Sequence, residues 1–212
     1  MYAQHSLLSA GENHALCYGD YKTIYTFGDN TYGQCDVSDW TFIVSLSCAD
    51  TYSAGLNKFG KVYVAGDAPE GTGDWTNIIS ISAGPDYLVG IKTDGTVVCA
   101  TKNASLSQEA LQRVEKWENI LSVCTGEGYI LGLHFDGTME YEGKDMDDLE
   151  TFLAYDDIIH IYGSNTHLAA IRENNTVISA GDNTYGQRNV QDWTNIKELA
   201  VNDTHTLGLQ FN

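Results

Sequence analysis

The sequence predicts an all-β chain built from one repeated unit. The heptapeptide Gly-Asp-Asn-Thr-Tyr-Gly-Gln occurs twice without a change, at 28–34 and again at 181–187. A tryptophan or tyrosine recurs along the chain, and short alternating apolar segments bounded by turn residues follow each one. Self-similarity at a regular interval is the signature of repeat architectures, and alternation with a period of two is typical of strands.

The recurring aromatic residue sets the phase of the repeat. Six copies begin at Tyr2, Trp40, Trp75, Trp117, Tyr155 and Trp193. The first five units are complete, and about half of the sixth is present. Because the repeat runs through the chain without a linker, we expect a single domain over residues 1–212. A large amphipathic ring at a fixed phase is typical of packing between neighbouring sheets, so we interpret the tryptophans as wedges between units.

Each unit contains three predicted strands, which we call inner, middle and outer. Segments 79–84, 205–209 and 95–100 are examples in that order. Residue pairs that tolerate positive φ separate the middle from the outer strands. These pairs are Phe59-Gly60, Asp94-Gly95, Asp136-Gly137 and Asn174-Asn175. The one window with a helical period is 107–116, and it overlaps a segment at 103–115 that we interpret as an inserted loop or a short helix.

A three-stranded unit cannot bury both of its faces alone, whereas packing such sheets face to face around an axis does bury them. The sequence therefore predicts a β-propeller with short blades. Because the sixth unit lacks its outer strand, we favour six blades with an incomplete last blade. The alternative is a five-bladed ring whose surplus half-unit overlaps the other end or pairs with a second molecule. An uncovered strand at 204–209 would be an exposed edge, which predicts a possible homodimer.

Several motifs of the unit resemble the RCC1-type repeat (regulator of chromosome condensation). They are Ser-Ala-Gly before the middle strand, the histidines that open it, Asp-Gly after it, and the heptapeptide that follows the outer strand. The short unit is especially similar to that of the bacterial β-lactamase inhibitor protein II. The resemblance implies a propeller whose partner contacts come from the residues just before the position of His14, His167 and His205.

The composition indicates which classes of partner are compatible with the chain and in which cellular compartment we expect it. The formal net charge is -18, from 29 acidic and 11 basic residues, which argues against nucleic acid because its binding depends on Lys and Arg. No apolar stretch suits a membrane span, and the N-terminus lacks the pattern of an export signal, so we expect a cytoplasmic protein. The five cysteines have no Cys-x-x-Cys spacing, so we expect reduced thiols and no metal or other cofactor. The heptapeptide loops are weak candidates for calcium, since they lack the ligand alternation of an EF-hand.

The candidate binding residues lie in the turns between inner and middle strands. Five of these six turns carry a central carboxylate: Glu12, Asp50, Asp86, Glu127 and Asp203. The fourth residue of every turn is histidine or tyrosine: His14, Tyr52, Tyr87, Tyr129, His167 and His205. Equivalent turns emerge on one face of a propeller, and converging carboxylates attract a basic patch. Two interpretations stay open, namely contact with a partner, or ordinary turn residues with histidines that hydrogen-bond neighbouring blades.

The sequence contains no HExxH, GxSxG or Walker-type motif, so we expect no enzymatic activity. The favoured hypothesis is a binding propeller that docks, inhibits or sequesters a protein partner with a basic or mixed patch. The acids would steer the partner and the three tyrosines would supply apolar contact. The alternative is a propeller that binds a small molecule, as a lectin-like sensor or a ligand sponge.

Overall fold

The computed structural model describes residues 7–19, 23–102 and 106–211, and strands dominate it. Two short α-helices, α1 (Gln108–Val114) and α2 (Leu149–Leu153), and a 3-10 turn at Thr72–Asp74 are the helical elements of these residues. The strands are β1 (Leu8–Ala10), β2 (His14–Tyr18), β3 (Ile24–Gly28), β4 (Ile43–Cys48), β5 (Tyr52–Asn57), β6 (Val62–Gly66), β7 (Ile78–Ala83), β8 (Tyr87–Lys92), β9 (Val97–Thr101), β10 (Ile120–Gly126), β11 (Tyr129–His134), β12 (Met139–Gly143), β13 (Ile158–Gly163), β14 (His167–Arg172), β15 (Val177–Gly181), β16 (Ile196–Asn202) and β17 (His205–Gln210).

The described residues form six antiparallel sheets, each made of strands that are consecutive in the chain. We call them blades 1 to 6. Blades 1 to 5 hold three strands each, in the order inner, middle, outer, and blade 6 holds only β16 and β17. The predicted three-stranded unit and the incomplete last blade are therefore confirmed, and the count agrees with six blades rather than five.

The inner strand carries a bulge at the same place in blades 2 to 6. In blade 2 the register shifts between Ile43 and Ser45, and the other four blades repeat this shift. Residues three apart on a regular strand point to opposite faces. The bulge inserts one residue, so that Ile43 and Leu46 face the same core.

The chain consists of two compact units, 1–118 and 119–212, which we call unit 1 and unit 2. Within each unit, the middle strand of one blade packs against the inner strand of the next. In unit 1, Leu16 packs with Leu46, and Leu56 packs with Ile81. In unit 2, Leu131 packs with Ile161, and a further core joins β14 to β16. Each fully buried side chain of this type contributes about 1.5–3 kcal/mol to folding.

The hairpins between middle and outer strands follow the predicted turn chemistry. The second residue of each pair has a positive φ, with values of 79° at Gly60, 80° at Gly95, 88° at Gly137 and 61° at Asn175. These are the residue types that adopt the left-handed region most cheaply. The turn prediction is confirmed at these four hairpins.

The tryptophans pack where the wedge interpretation expects them in blades 2, 3 and 6. Trp40 belongs to the core between blades 1 and 2, and its ring lies over Gly55 so closely that a methyl group there would be 2.5 Å away. Trp75 lies over Gly90 and Trp193 over Gly208 in the same way. In these three blades the indole ring therefore packs directly against a glycine of the middle strand.

The predicted short helix is confirmed as α1, which begins after Ser107, whose hydroxyl accepts a hydrogen bond from the Ala110 N–H. Helix α2 was not predicted. Tyr2, the start of the first repeat, and 103–105, the beginning of the inserted segment, lie outside the described residues. The single domain over 1–212 stays a prediction.

Candidate binding surface

The turns between inner and middle strands lie side by side in unit 1. They comprise 11–14, 49–52 and 84–87. The Cys48 N–H donates a hydrogen bond to Oγ of Ser9 in blade 1 (2.9 Å), and the Ala83 N–H donates one to Oγ of Ser47 in blade 2 (2.9 Å). The strand ends that carry these turns are therefore fixed to one another.

The equivalent turns of unit 2, at 126–129, 164–167 and 202–205, are joined through their own residues. The Glu127 N–H donates to Oδ1 of Asn165 (3.1 Å), and the Asn165 N–H donates to Oδ1 of Asp203 (2.8 Å). The hydroxyl of Thr166 donates to the backbone oxygen of Asp203 (2.8 Å). We call the turns of each unit the turn surface of that unit.

The five predicted acids differ in how much they present to solvent. Glu12 and Glu127 are exposed, whereas Asp50, Asp86 and Asp203 are half-buried. The carboxylate of Asp203 is engaged by Asn165, as described above, so it also has a structural role. The two glutamates are therefore the acids best placed to meet a partner.

A second set of charged residues, which sequence analysis missed, borders the turn surface. The residue that follows the end of the outer strand donates its N–H to a turn carbonyl, as Asp67 does to Thr51 (3.1 Å) and Lys102 does to Asp86 (2.8 Å). In blades 1, 2 and 5 this residue is an aspartate, and in blades 3 and 4 it is a lysine. The residues are Asp29, Asp67, Lys102, Lys144 and Asp182. An alignment of the repeats at the end of the outer strand would have found this position.

The two lysines make the turn surface mixed in charge rather than uniformly acidic. The ammonium group of Lys102 pairs with Asp67. The ammonium group of Lys144 lies 3.8 Å from the carboxylate of Glu127 and donates to the backbone oxygen of Asn165 at 3.0 Å.

The predicted tyrosine contacts need a correction. Tyr52, Tyr87 and Tyr129 are 0% exposed, so they cannot supply contact area to a partner. The Tyr52 hydroxyl donates to the backbone oxygen of Tyr87 (2.9 Å), and the Tyr129 hydroxyl donates to that of Ser164 (2.7 Å). Burial raises the pKa of Tyr52, and the carboxylates of Asp50 and Asp86 raise it further. The side chains of Tyr52 and Tyr129 therefore join neighbouring blades beneath the turns.

The histidines divide into two buried residues and one exposed residue. Nε2 of His14 lies 2.8 Å from Oγ of Ser53, and Nε2 of His167 lies 2.8 Å from Oγ1 of Thr206, so both connect one blade to the next. With 4% and 0% exposure respectively, neither can contact a partner. The structural interpretation of these two histidines is confirmed. His205 is exposed and remains a candidate for contact.

The surroundings of His167 assign its tautomer. The Thr206 hydroxyl donates to the backbone oxygen of Gln187 (2.8 Å), so Thr206 accepts from Nε2 of His167, which therefore carries the proton. Nδ1 accepts from the Ser164 hydroxyl at 3.1 Å. Burial lowers the pKa of His167, against the opposing charge of Asp203. Burial also lowers the pKa of His14, so both imidazoles are neutral at pH 7.

The two heptapeptide loops fold identically around their aspartates. Oδ1 of Asp182 accepts hydrogen bonds from the N–H and hydroxyl of Thr184, and Oδ2 accepts from Nε2 of Gln187 at 2.8 Å. Asp29 makes the same three contacts in blade 1. These bonds lower the pKa of both carboxyls, that from the threonine hydroxyl most. Both oxygens are therefore engaged within the loop, and the calcium interpretation stays a prediction. Within the described ranges, no three His, Cys, Asp or Glu side chains are grouped to hold a metal ion.

Comparison with known proteins identifies the fold. No protein-family model and no curated protein sequence matches the chain. Among solved structures, human WBSCR16 has a TM-score of 0.78 at 17% identity, over 97% of this chain and 71% of that one. The ectodomain of the Physcomitrella patens receptor kinase CR4 has a TM-score of 0.76 at 16% identity, over 96% of this chain and 58% of that one. Yeast RCC1 (Prp20), in its complex with Kap60, has a TM-score of 0.73 at 13% identity, over 96% of this chain and 67% of that one.

The chain therefore has an RCC1-like β-propeller fold. At these identities the likeness concerns the fold alone, and the chain spans between 58% and 71% of the three structures. The similarity to the β-lactamase inhibitor protein II stays a prediction. No helix in the described part of the chain has the length and apolar character to cross a membrane.

Proposed function

We propose that this protein is a noncatalytic binding propeller that docks a protein partner through the turn surface and so inhibits or sequesters it. The partner would carry a basic or mixed patch. Glu12 would steer it on unit 1 and Glu127 on unit 2, and Asp50, Asp86, Asp203 and His205 are the further candidates for contact. A cytoplasmic location is proposed with this function, because the five cysteines are free thiols.

The observation that carries the proposal is the rigidity of the turns that hold the acids. Hydrogen bonds between neighbouring turns of unit 2, such as those from the Glu127 N–H to Asn165 and from the Asn165 N–H to Asp203, hold these turns in place. A surface that is ordered before binding loses little conformational entropy on docking. Complementary charge then raises the rate of association and the specificity.

Two structures with this fold support the use of a propeller as a platform for proteins. Yeast RCC1 (Prp20) is described in complex with Kap60, and Prp20p from Saccharomyces cerevisiae is described with binding properties to Gsp1p and histones. Binding rather than catalysis also suits the buried histidines, since His14 and His167 are engaged between blades.

The test compares the wild type with a double charge reversal, Glu12→Lys and Glu127→Lys. Both side chains are exposed, so the variant should fold. In affinity capture from the native host at low and at high salt, a partner recruited by the turn surface should be lost in the variant and weakened by salt. A matched control, Glu70→Lys and Asp74→Lys, reverses two exposed charges elsewhere in unit 1 and should retain the partner. Equal capture by all three proteins would refute the proposal.

A specific cavity favours the alternative, a small-molecule-binding propeller. In blade 6 an open cavity of about 350 Å³ is lined by Trp193, Asp192, Thr194, Ile196, Gly208 and Gln210. An indole ring beside polar side chains is a suitable floor for a sugar or another small ring. Native mass spectrometry of the freshly purified protein would reveal a retained ligand, and Trp193→Ala should release it. Absence of any adduct, together with no thermal shift on adding monosaccharides, would argue against this function.

The edge of blade 6 supports a proposal of homodimerisation. Strand β17 pairs with β16 on one side, and no strand formed by the described residues covers its other edge. Leu207 and Leu209 are 62% and 55% exposed there. Exposed edges with apolar side chains invite pairing with another chain. A dimer in light scattering that Leu207→Lys converts to a monomer would support the proposal, whereas a monomeric wild type at high concentration would contradict it.

A further inference from the structure

Phe42 stands in a backbone conformation that bulky residues rarely adopt. Its φ is 58°, in the left-handed region. The equivalent residue, two places after the tryptophan, is asparagine in blades 3, 4 and 6, with φ of 59° at Asn77, 59° at Asn119 and 57° at Asn195. Asparagine tolerates this region, whereas a bulky side chain there is strained. Blade 2 therefore places an aromatic ring where the repeat favours asparagine.

The strain is not offset by burial of the ring. Phe42 is 43% exposed, and it meets Phe59, which is 69% exposed, edge to face with ring centroids 5.6 Å apart. Phe59 lies in the hairpin between β5 and β6. An exposed aromatic pair on a strained backbone indicates a functional surface, because strain of this kind is concentrated at binding sites.

Two lysines complete this surface. Nζ of Lys58 lies 4.7 Å from the ring centroid of Phe42 and 4.9 Å from that of Phe59. Nζ of Lys61 lies 4.4 Å from the ring centroid of Tyr63. Among the residues that the structure describes, neither ammonium group is paired with a carboxylate. We call Phe42, Lys58, Phe59, Lys61 and Tyr63 the aromatic–lysine patch.

The aromatic–lysine patch is separate from the turn surface. Strand β5 begins at Tyr52, beneath the turn surface, and ends at Asn57, directly before Lys58. Six residues of strand span about 20 Å. The two surfaces of unit 1 therefore lie at opposite ends of the same strand, and each can be occupied without the other.

We propose that the aromatic–lysine patch docks an acidic, apolar peptide segment of a protein partner. The two phenylalanine rings receive an aliphatic or aromatic side chain, and the ammonium groups of Lys58 and Lys61 receive carboxylates beside it. The net charge of the chain is -18, but these two lysines have no acidic partner among the described residues and give the patch a local positive charge. This charge favours an anionic segment. Nucleic acid would meet the same two cations, but the charge of the whole chain opposes a polyanion.

The test uses two fluorescein-labelled hexapeptides and fluorescence anisotropy. The acidic probe is Glu-Leu-Glu-Phe-Glu-Leu and the basic probe is Lys-Leu-Lys-Phe-Lys-Leu. The acidic probe should bind the wild type saturably, and Phe42→Asn and Lys58→Glu should each weaken it about tenfold or more. Phe135→Asn, which removes an exposed phenylalanine from a hairpin of unit 2, is the matched control and should bind as the wild type does.

A stability measurement separates a binding role from a packing role. Because asparagine suits positive φ, Phe42→Asn should raise the Tm by about 1–3 °C while it loses the acidic probe. No saturable binding of the acidic probe up to about 1 mM, equal affinity of Phe42→Asn and wild type, or a lower Tm for this variant would each overturn the proposal. The basic probe should instead bind the turn surface, so its affinity should fall in the Glu12→Lys, Glu127→Lys variant. Failure of the turn surface and failure of the aromatic–lysine patch are therefore distinguishable.

Discussion

Nε2 of His14 lies 2.8 Å from Oγ of Ser53, a residue 39 positions further along the chain and in the next blade. Nδ1 of His14 is buried without a hydrogen-bond partner in the described part of the chain. In blade 5 the equivalent nitrogen of His167 is hydrogen-bonded by Ser164, but the residue at that position in blade 1 is Gly11, which has no side chain to donate. Ser53 is thus the one side chain that hydrogen-bonds this imidazole among the described residues. The pair holds blade 1 to blade 2 directly beneath the turn surface.

Replacing Ser53 by alanine should destabilise the protein. The imidazole of His14 would then be buried with both nitrogens unsatisfied, which costs about 1–3 kcal/mol of unfolding free energy. Urea unfolding measures this loss. Ser38→Ala removes an exposed hydroxyl in the same unit and should stay within about 0.5 kcal/mol of the wild type. A Ser53→Ala variant as stable as the wild type would show that the contact contributes nothing.

Stability should fall as the pH decreases below about 6.5, the ordinary pKa of histidine. Burial lowers the pKa of His14, His160 and His167 in the folded state, so the unfolded chain takes up protons first and is favoured. The loss continues until the pH reaches the lowered pKa values and then levels off. Urea midpoints at pH 7.5, 6.5 and 5.5 measure it. His167→Asn should flatten this dependence, whereas Ser38→Ala, at an exposed site without a titratable group, should leave it unchanged; an equal dependence in His167→Asn and the wild type would contradict the assignment.

Gly55→Ala should be strongly destabilising. A methyl group at this position would lie 2.5 Å from the ring of Trp40, so the indole or the strand must shift. Overpacking of this kind costs about 1–3 kcal/mol. Gly73→Ala is the matched control, because no atom lies within 4 Å of the methyl group it would add. Similar thermal midpoints for both variants would mean that the ring is not seated on Gly55 in solution.

Cys99 and Cys124 should resist alkylation in the native protein. Burial raises the pKa of each thiol to about 12, so the reactive thiolate is scarce at pH 8. Mass spectrometry after iodoacetamide treatment, with and without urea, compares the sites. All five cysteines should react in urea, and these two should react slowly in its absence. Rapid native labelling of Cys124 would contradict the raised pKa of its thiol.

The stability that the heptapeptide loop of blade 5 contributes should depend on Asp182 and not on calcium. Asp182→Ala removes the acceptor of three hydrogen bonds, from Thr184 and Gln187, and should lower the Tm. Asp145→Ala, at an exposed position, should not. Addition of about 5 mM calcium should leave the Tm of the wild type unchanged, since a ligand of the native state would raise it. A rise that Asp182→Ala abolishes would support the calcium interpretation.

Much of the fold could be predicted because the sequence repeats and because its turns have strong chemistry. The two identical heptapeptides indicated the repeat unit, and Asp94-Gly95 and the equivalent residue pairs predicted the hairpins. The bulge after Ile43 escaped prediction, since simple alternation assigns Ile43 and Leu46 to opposite faces. Only the shared core shows that they point the same way.

The candidate site was harder to predict, because residue type alone does not determine burial. Tyr52 and His14 end acidic turns, and the sequence left open whether they contact a partner or a neighbouring blade; both bond across to the next blade and are buried. Lys102 was overlooked because it is distant in sequence from the turn residues that it contacts, Asp86 through its backbone N–H and Thr51 through its ammonium group. The strained φ of Phe42 was missed for a different reason, because a single repeat does not show it. Only an alignment of the repeats shows that this position is asparagine in three other blades.

The hydrogen bond from His14 to Ser53 also bears on how the chain acquires its structure during synthesis. Ser53 lies 39 residues after His14, and the pair of His167 and Thr206 has the same separation. A ribosome adds that many residues in about 2–8 s. The nascent sheets of blades 1 and 5 therefore wait only seconds for the neighbour that satisfies their histidine, and assembly can proceed from the amino terminus while later segments are still being translated.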